Sequence, residues 1–191
     1  MKYIFDFDDV LFKNTKMLKH HMFRLIAEAG VPREAAEKDY YRPEVRWQQF
    51  SLKKFIRRLF STYGIVNKDP NKLYEEIMSA CHHFLNEELV AEVNRLGKEN
   101  CYIVTNGEDE FNNDKLKYSG ILNYFKKYHV KIVPDDKGDV IEEICRENKN
   151  EKIFFFDDKT CFIDELKKRN IPNLTSVLYE GESLPELLRK A

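Results

Sequence analysis

The chain has 191 residues with a net charge of −1, and 34% of its residues are charged. This length is enough for one domain with a sizeable core, or for a domain that carries an insert. The balanced charge does not favour nucleic acid as a partner, because domains that bind it usually present a strongly basic face. The sequence contains no long uncharged apolar stretch, and it therefore does not predict a membrane span.

The cysteines predict a reducing compartment. Cys81, Cys101, Cys145 and Cys161 stand far apart, and no two of them form a C-x-x-C pair. This spacing is typical of buried thiols rather than of a disulfide framework or a zinc site. Three aspartates interrupt the first apolar segment, so it does not have the pattern of a signal peptide. We therefore expect a cytoplasmic protein.

The chain begins with an apolar run, Tyr3–Phe7, that predicts a buried strand by its length and its aromatic and β-branched residues. Asp6, Asp8 and Asp9 lie at its end. Alternation along a strand would put Asp6 and Asp8 on the same side. One interpretation is a polar turn after an edge strand. The other is a functional site, because a buried carboxylate is costly unless it is paired or metal-bound.

A helical pattern follows, from Asn14 to about Glu92. Apolar residues recur at helical spacing over several segments of this region. Asp69 and Pro70 mark the start of one helix, as a cap residue followed by a proline at the first helical position. The sequence therefore predicts an all-helical insert of residues 14–92.

After the insert, strands and helices alternate. Strands are predicted at residues 101–104, 128–133, 153–156 and 174–178, with a helix after each of them. Parallel strands joined by helices form right-handed crossovers, and the helices cover both faces of the sheet. Residues 1–13 and 93–191 are therefore predicted to form an α/β core.

A second apolar strand ends in acids, because Asp157 and Asp158 directly follow Phe154–Phe156. If this strand end lies beside Asp6, the two ends together provide several carboxylate oxygens. Such hard oxygen ligands suit Mg²⁺, which is usually held by a few carboxylates, waters and a substrate phosphate. The sequence therefore predicts a magnesium site.

Four pieces of the chain, in this order, resemble the haloacid dehalogenase superfamily, whose members are mostly phosphatases that use an aspartate nucleophile. They are Asp6-x-Asp8, Thr105, Lys137 and Asp157-Asp158. The resemblance implies a Rossmann-like three-layer core with a central parallel sheet in the order 5-4-1-2-3. It also implies that the helical insert is a cap domain that chooses the substrate. Asp9 departs from the pattern, since many members have glycine there.

The resemblance also implies roles for the four aspartates. Asp6 would attack phosphorus and form an aspartyl-phosphate, which is a form of covalent catalysis. Asp8 would protonate the leaving oxygen and then accept a proton from the hydrolytic water. Mg²⁺ would be held by the Asp6 carboxylate, the Asp8 backbone carbonyl and Asp157. Asp158 would lie beside or behind this ligand set.

Thr105, Asn106 and Gly107 would bind the phosphoryl group in such a site. The Thr105 hydroxyl and the Asn106 N–H would hold the phosphoryl oxygens. A plain turn from strand to helix is an equally good interpretation of these residues out of context, since asparagine and glycine favour turns.

Lys137 would offset the negative charge of the nucleophile and the phosphoryl group. Lys115 and Lys117, on the helix after the second strand, are its rivals. Lysines on helix surfaces are usually solvated, and this favours Lys137 at the start of the next helix. Arg46 and Trp47, in the insert, are candidates for contact with the substrate.

Together these features predict a Mg²⁺-dependent hydrolase of phosphoric monoester bonds with a small phosphorylated substrate, as a monomer or homodimer. Two alternatives stay open: a catalytically inactive protein of this fold that binds or regulates, and a phosphatase of nucleotides or nucleic-acid ends. A response-regulator receiver also clusters aspartates with a threonine and a lysine. It has no insert of this length, and its second acidic site precedes its threonine.

Overall fold

The computed structural model describes residues 1–42, 50–107, 109–133 and 136–190. The strands are β1 (Lys2–Phe5), β2 (Cys101–Asn106), β3 (Val130–Val133), β4 (Ile153–Asp157) and β5 (Leu174–Leu178). The α-helices in the described residues are α1 (Lys19–Glu28), α2 (Arg33–Tyr40), α3 (Leu52–Thr62), α4 (Pro70–Ser79), α5 (Glu87–Leu96), α6 (Asp109–Ser119), α7 (Gly138–Glu147), α8 (Thr160–Arg169) and α9 (Leu184–Lys190). A π-helical turn, Asn14–Leu18, leads into α1.

All five strands are parallel and lie in the order β3-β2-β1-β4-β5, so β1 is central. The predicted fold class and strand order are confirmed. Phe5 of β1 pairs with Ile103 of β2 on one side and with Phe156 of β4 on the other. Asp6, which follows Phe5, and Asp157, which follows Phe156 and ends β4, therefore lie side by side at the carboxyl edge of the sheet.

The core explains why the central strands are apolar along their length. A parallel sheet is covered on both faces, so its central strands have no polar side. On one face, Ile4, Val104 and Phe155 pack with buried residues of α7 and α8. On the other, the rings of Phe5 and Phe156 lie 5.2 Å apart. These contacts fix the register of β1 against β4, and hence the positions of the acidic residues after them.

The described chain divides into two compact units. One comprises Met1–Lys13, Leu85–Asn106 and Gly120–Ala191, and contains the sheet. The other comprises Asn14–Phe84 and Gly107–Ser119 and is helical. The predicted insert extended to residue 92, whereas α5 groups with the sheet and α6 groups with the helices. Whether the helical unit acts as a cap domain stays a prediction.

The start of α4 follows the predicted capping chemistry. The Asp69 side chain accepts a hydrogen bond from the Asn71 N–H at 2.8 Å, and Pro70 is the first residue of α4.

Within the described residues, no helix has the length and apolar character needed to cross a bilayer. Three of the four cysteines are buried and Cys161 is exposed, and none forms a disulfide.

Candidate active site

The first acidic segment begins where β1 ends. β1 ends at Phe5, two residues earlier than predicted, and the Asp6 N–H still donates to the Phe156 carbonyl at 2.9 Å. Asp8 lies beyond the ladder, in a turn where it bridges to Phe12. The alternation of a strand therefore does not relate Asp6 to Asp8, because the chain has already turned.

Asp9 has a backbone φ of +61°, in the left-handed region. Its N–H donates to the Phe12 carbonyl at 2.6 Å, and the Phe12 N–H donates to the Phe7 carbonyl at 2.9 Å. Glycine enters this region without steric cost, and aspartate is among the few other residues that tolerate it. The turn thus gives a physical reason why position 9 suits glycine or aspartate.

Three carboxylates meet at the carboxyl edge of the sheet. Asp6, Asp157 and Asp158 each offer an oxygen, and these oxygens lie within 4.8 Å of one another. Asp6 is 2% exposed and Asp157 is fully buried, while Asp158 is half-buried. They come together because β1 and β4 are neighbours in the sheet. Negative charge at this density requires a compensating cation or proton.

Lys137 supplies one cation to this cluster. It is the residue before α7, and its Nζ donates to Asp157 Oδ2 at 2.6 Å and lies 2.8 Å from Asp6 Oδ1. Lys115, on α6, is also buried. The expectation that it would be solvated was therefore wrong, and solvation does not exclude it as the phosphate-side lysine. Lys117 is exposed on the same helix. The structure brings Lys137 to both acidic strand ends.

The pKa values of the cluster reflect its burial. Burial raises the pKa of Asp6 to about 7, against the opposing effect of Lys137 and with a further rise from Asp157. Burial likewise raises the pKa of Asp158. Burial lowers the pKa of Lys137, whereas the negative charges of Asp6 and Asp157 raise it. The two carboxylates have the larger combined effect, so the pKa of Lys137 is raised. One ammonium therefore does not fully offset the carboxylates around it.

The donor set fits Mg²⁺. Asp157 Oδ2 accepts from Lys137, and Asp157 Oδ1 accepts from the Lys159 N–H at 2.9 Å. In contrast, Asp158 Oδ1 is buried and has no hydrogen-bond partner among the described residues. A buried carboxylate oxygen without a donor is a suitable ligand for a hard cation. Asp6, Asp157 and Asp158 are the residues that could hold it.

The contribution of the Lys159 N–H was missed in the sequence. An aspartate that accepts from the amide two residues later is a common local motif, and here the acceptor lies at the end of β4. The signal that could have found it is an aspartate at a strand end, two residues before the position that precedes a helix, in this case α8. Asp164, on α8, is exposed, as expected of a charge on a helix surface.

The predicted phosphate-binding residues lie at and after the end of β2. Thr105 is buried within the strand, and Asn106 is its last residue. Gly107 has a φ of +142°, and a Cβ there would clash with the side chain of Asn112. The turn thus requires glycine whether or not a ligand binds it. Arg46 and Trp47 lie outside the described residues.

No protein-family model and no curated protein matches the chain, but solved structures do. A haloacid dehalogenase-like hydrolase from Burkholderia xenovorans LB400 has a TM-score of 0.66 and 17% identity over 92% of this chain and 80% of its own. A HAD family enzyme from Bacteroides thetaiotaomicron, in complex with magnesium and inorganic phosphate, has a TM-score of 0.62 and 12% identity over 98% of both chains.

The magnesium-bound HAD hydrolase YfnB from Bacillus subtilis is similar over 99% of this chain and 97% of its own, with a TM-score of 0.60 and 16% identity. At these identities a structural likeness concerns the fold, since one fold hosts many functions. The strand order and the coverage of nearly the whole chain agree with this likeness. The chain therefore has the fold of the haloacid dehalogenase-like hydrolases, as its four motifs predicted.

Proposed function

We propose that the protein is a Mg²⁺-dependent phosphatase that hydrolyses a small phosphomonoester through an aspartyl-phosphate on Asp6. The observation that carries this proposal is the buried cluster in which Lys137 lies between Asp6 and Asp157. A carboxylate and a phosphoryl group repel each other, so a carboxylate nucleophile needs positive charge around it. Lys137 supplies one such charge, and the three clustered carboxylates have the geometry to hold a second.

The proposed reaction has two steps, both at Asp6. In the first, an Asp6 oxygen bonds to phosphorus, the ester P–O bond breaks, and the leaving oxygen takes a proton from Asp8. In the second, Asp8 accepts a proton from water as the water attacks phosphorus, and the bond to Asp6 breaks to release phosphate. Lys137 holds the Asp6 carboxylate in place throughout. Bound Mg²⁺ would supply charge neutralisation for the nucleophile and the phosphoryl oxygens.

Neighbours of the same fold support the metal and the substrate class. The Bacteroides thetaiotaomicron enzyme is in complex with magnesium and inorganic phosphate, and the Bacillus subtilis hydrolase is bound to magnesium. The donor set of Asp6, Asp157 and Asp158 is of the oxygen type that Mg²⁺ prefers. We therefore extend the family's magnesium chemistry to this chain as part of the proposal.

The helical unit is proposed to choose the substrate. In chain order its first segment, Asn14–Phe84, lies between the acidic turn after β1 and the strand that carries Thr105. Segments added to a common core vary freely and usually carry specificity. Arg46 and Trp47 stay the proposed contacts with the substrate. The enzyme would act in the cytoplasm, as a monomer or homodimer.

The test is phosphate release from an aryl phosphate and from a panel of phosphorylated metabolites. We expect turnover with Mg²⁺ and its loss in excess chelator. Asp6→Asn should abolish turnover, whereas Asp164→Asn, which changes an exposed acid, should retain it. Full turnover by metal-free protein would reject the magnesium assignment. Full turnover by Asp6→Asn would reject the nucleophile.

A further inference from the structure

The residues on either side of Lys137 are joined to one arginine. The Gly138 N–H donates to Asp136 Oδ1 at 2.6 Å, and Arg169 Nη2 donates to Asp136 Oδ2 at 2.5 Å. One carboxylate thus connects the amide after Lys137 to a guanidinium on α8. Since Lys137 lies between Asp136 and Gly138, this connection restrains its backbone from both sides.

Arg169 also binds the first turns of α7. Its Nη1 lies 2.7 Å from Asp139 Oδ1 and 3.4 Å from Glu142 Oε2, and its Nη2 lies 3.0 Å from Glu165 Oε1 on its own helix. A single exposed ion pair contributes little to stability. In contrast, a planar guanidinium that binds several carboxylates at once holds them in a fixed geometry, because its N–H donors point in fixed directions. The end of α8 is therefore tied to the start of α7.

Gly138 makes room for this guanidinium. A Cβ built on Gly138 would lie 2.6 Å from Arg169 Nε and closer still to Arg169 Cζ. Gly138 is the first residue of α7, and its φ is not among the positive values that only glycine adopts readily. The backbone at this position would accept alanine. The three atoms nearest to such a Cβ all belong to the Arg169 guanidinium, which would have to move to admit a side chain.

We propose that Arg169 is the positioning residue for Lys137. It holds the start of α7 so that the Lys137 ammonium reaches Asp6 and Asp157 together, at 2.8 Å and 2.6 Å. This inference rests on the proposed function, because the role of Lys137 is part of that proposal. Arg169 touches none of the three clustered carboxylates in the contacts of the described residues, so it acts through Lys137.

The kinetic test compares Arg169→Ala and Arg169→Lys with Arg146→Ala, which removes an exposed arginine from α7. We expect kcat to fall by about 10-fold or more in both Arg169 variants with little change in KM, because small misplacements of a catalytic group are costly. Millimolar guanidinium ion should restore part of the kcat of Arg169→Ala, and sodium chloride of equal ionic strength should not. Wild-type kcat in Arg169→Ala would overturn the inference.

A double-mutant cycle tests the packing. Gly138→Ala should lower kcat and the melting temperature in the wild-type background, because its methyl group meets the guanidinium. In the Arg169→Ala background the same substitution should cost nothing, since the space is then open. Equal losses in both backgrounds would mean that Arg169 does not occupy this space, and would overturn the inference.

Lysine labelling separates this inference from the proposed function, because it needs no substrate. An amine-acylating reagent followed by peptide mass spectrometry reports the accessibility of each lysine. Lys137, which is buried, should resist labelling in the wild type and in Arg146→Ala, and should be labelled several-fold faster in Arg169→Ala. Equal Lys137 labelling in all three proteins would overturn the positioning role. A wild type without phosphatase activity would reject the proposed function and leave this result interpretable.

Discussion

The ammonium of Lys137 lies 2.8 Å from Asp6 Oδ1, and both side chains are 2% exposed. A buried ion pair is held by mutual neutralisation, so the removal of one partner is costly. Here the pair is not neutral with its surroundings, since Asp157 and Asp158 add further carboxylates. A proton or a metal ion bound at this cluster would complete the balance of charge, and the first two predictions below depend on this surplus of negative charge.

We predict that Asp6→Asn stabilises the metal-free protein at pH 8. The folded-state pKa of Asp6 is raised to about 7, above the ordinary value near 4. The buried Asp6 carboxyl therefore makes its full contribution to folding stability below pH 4, where it is protonated, and this contribution is lost as the pH rises through 7. Asparagine does not ionise, so the variant avoids this loss. The expected gain is a few kcal/mol, from about 1.4 kcal/mol per pKa unit.

The measurement is urea unfolding in chelator at pH 5 and pH 8. The stability difference between Asp6→Asn and the wild type should grow with pH, while Asp164→Asn should follow the wild type. A difference that is the same at both pH values would show that Asp6 does not titrate in this range.

We predict that the acidic limb of the pH–rate profile moves with the magnesium concentration. Asp6 must lose its proton to act as nucleophile and as ligand, and its pKa is about 7 without metal. Because Mg²⁺ and the proton compete for the carboxylate, more Mg²⁺ should shift the limb to lower pH. The check is kcat/KM from pH 5 to 9 at limiting and saturating Mg²⁺. A limb that does not move would indicate a titrating group outside the cluster.

We predict that Asp8→Asn accumulates a phosphorylated protein and that Asp6→Asn does not. Asparagine at position 8 keeps the nucleophile but removes acid–base help, typically worth ~10²–10⁴-fold in rate. An aryl phosphate leaves with little protonation, so the hydrolysis of the intermediate should suffer more than its formation. Intact-protein mass spectrometry should show the added phosphoryl group. Equal labelling of both variants, or a label on Asp157 or Asp158, would identify a different nucleophile.

We predict that the helical unit depends on the hydrogen bond between Tyr74 and Asp114. The Tyr74 hydroxyl donates to Asp114 Oδ2, and Tyr74 is 3% exposed. Tyr74→Phe would leave a partly buried carboxylate without this donor, which costs about 1–3 kcal/mol. The matched control is Tyr118→Phe, which breaks an exposed bond to Glu75 and should cost less than about 1 kcal/mol. Equal losses in unfolding free energy would contradict the prediction.

Much of the fold was predictable from local patterns. The helical and alternating segments and the parallel sheet agree with the structure, because hydrophobic periodicity depends on residues close together in the chain. The strand order also agrees, but it was implied by the family resemblance of the four motifs and not by periodicity. The two acidic strand ends were predictable from local patterns as well. Each follows an apolar run, and parallel strands place their carboxyl ends at one edge.

The end of β1 was not predictable from this pattern. Phe7 continues the apolar run of β1, yet the chain turns, since the left-handed backbone of Asp9 closes hydrogen bonds back toward Phe7. The boundary of the helical unit is a second example. α6 groups with the helices rather than with the sheet, although its position after β2 is typical of a crossover helix. Both outcomes depend on contacts that no local pattern specifies.

The sequence by itself determined which residue types could form the site: aspartates after two strands, a threonine at the end of a third, and several lysines. Only the tertiary structure decided which lysine lies against Asp6, because that depends on where α7 begins in space. Lys115 is buried as Lys137 is, so burial did not distinguish them. Lys137 reaches the acidic strand ends because β1 and β4 are adjacent. We infer that Arg169, at the far end of α8, contributes by binding Asp136, which also accepts a hydrogen bond from the Gly138 N–H.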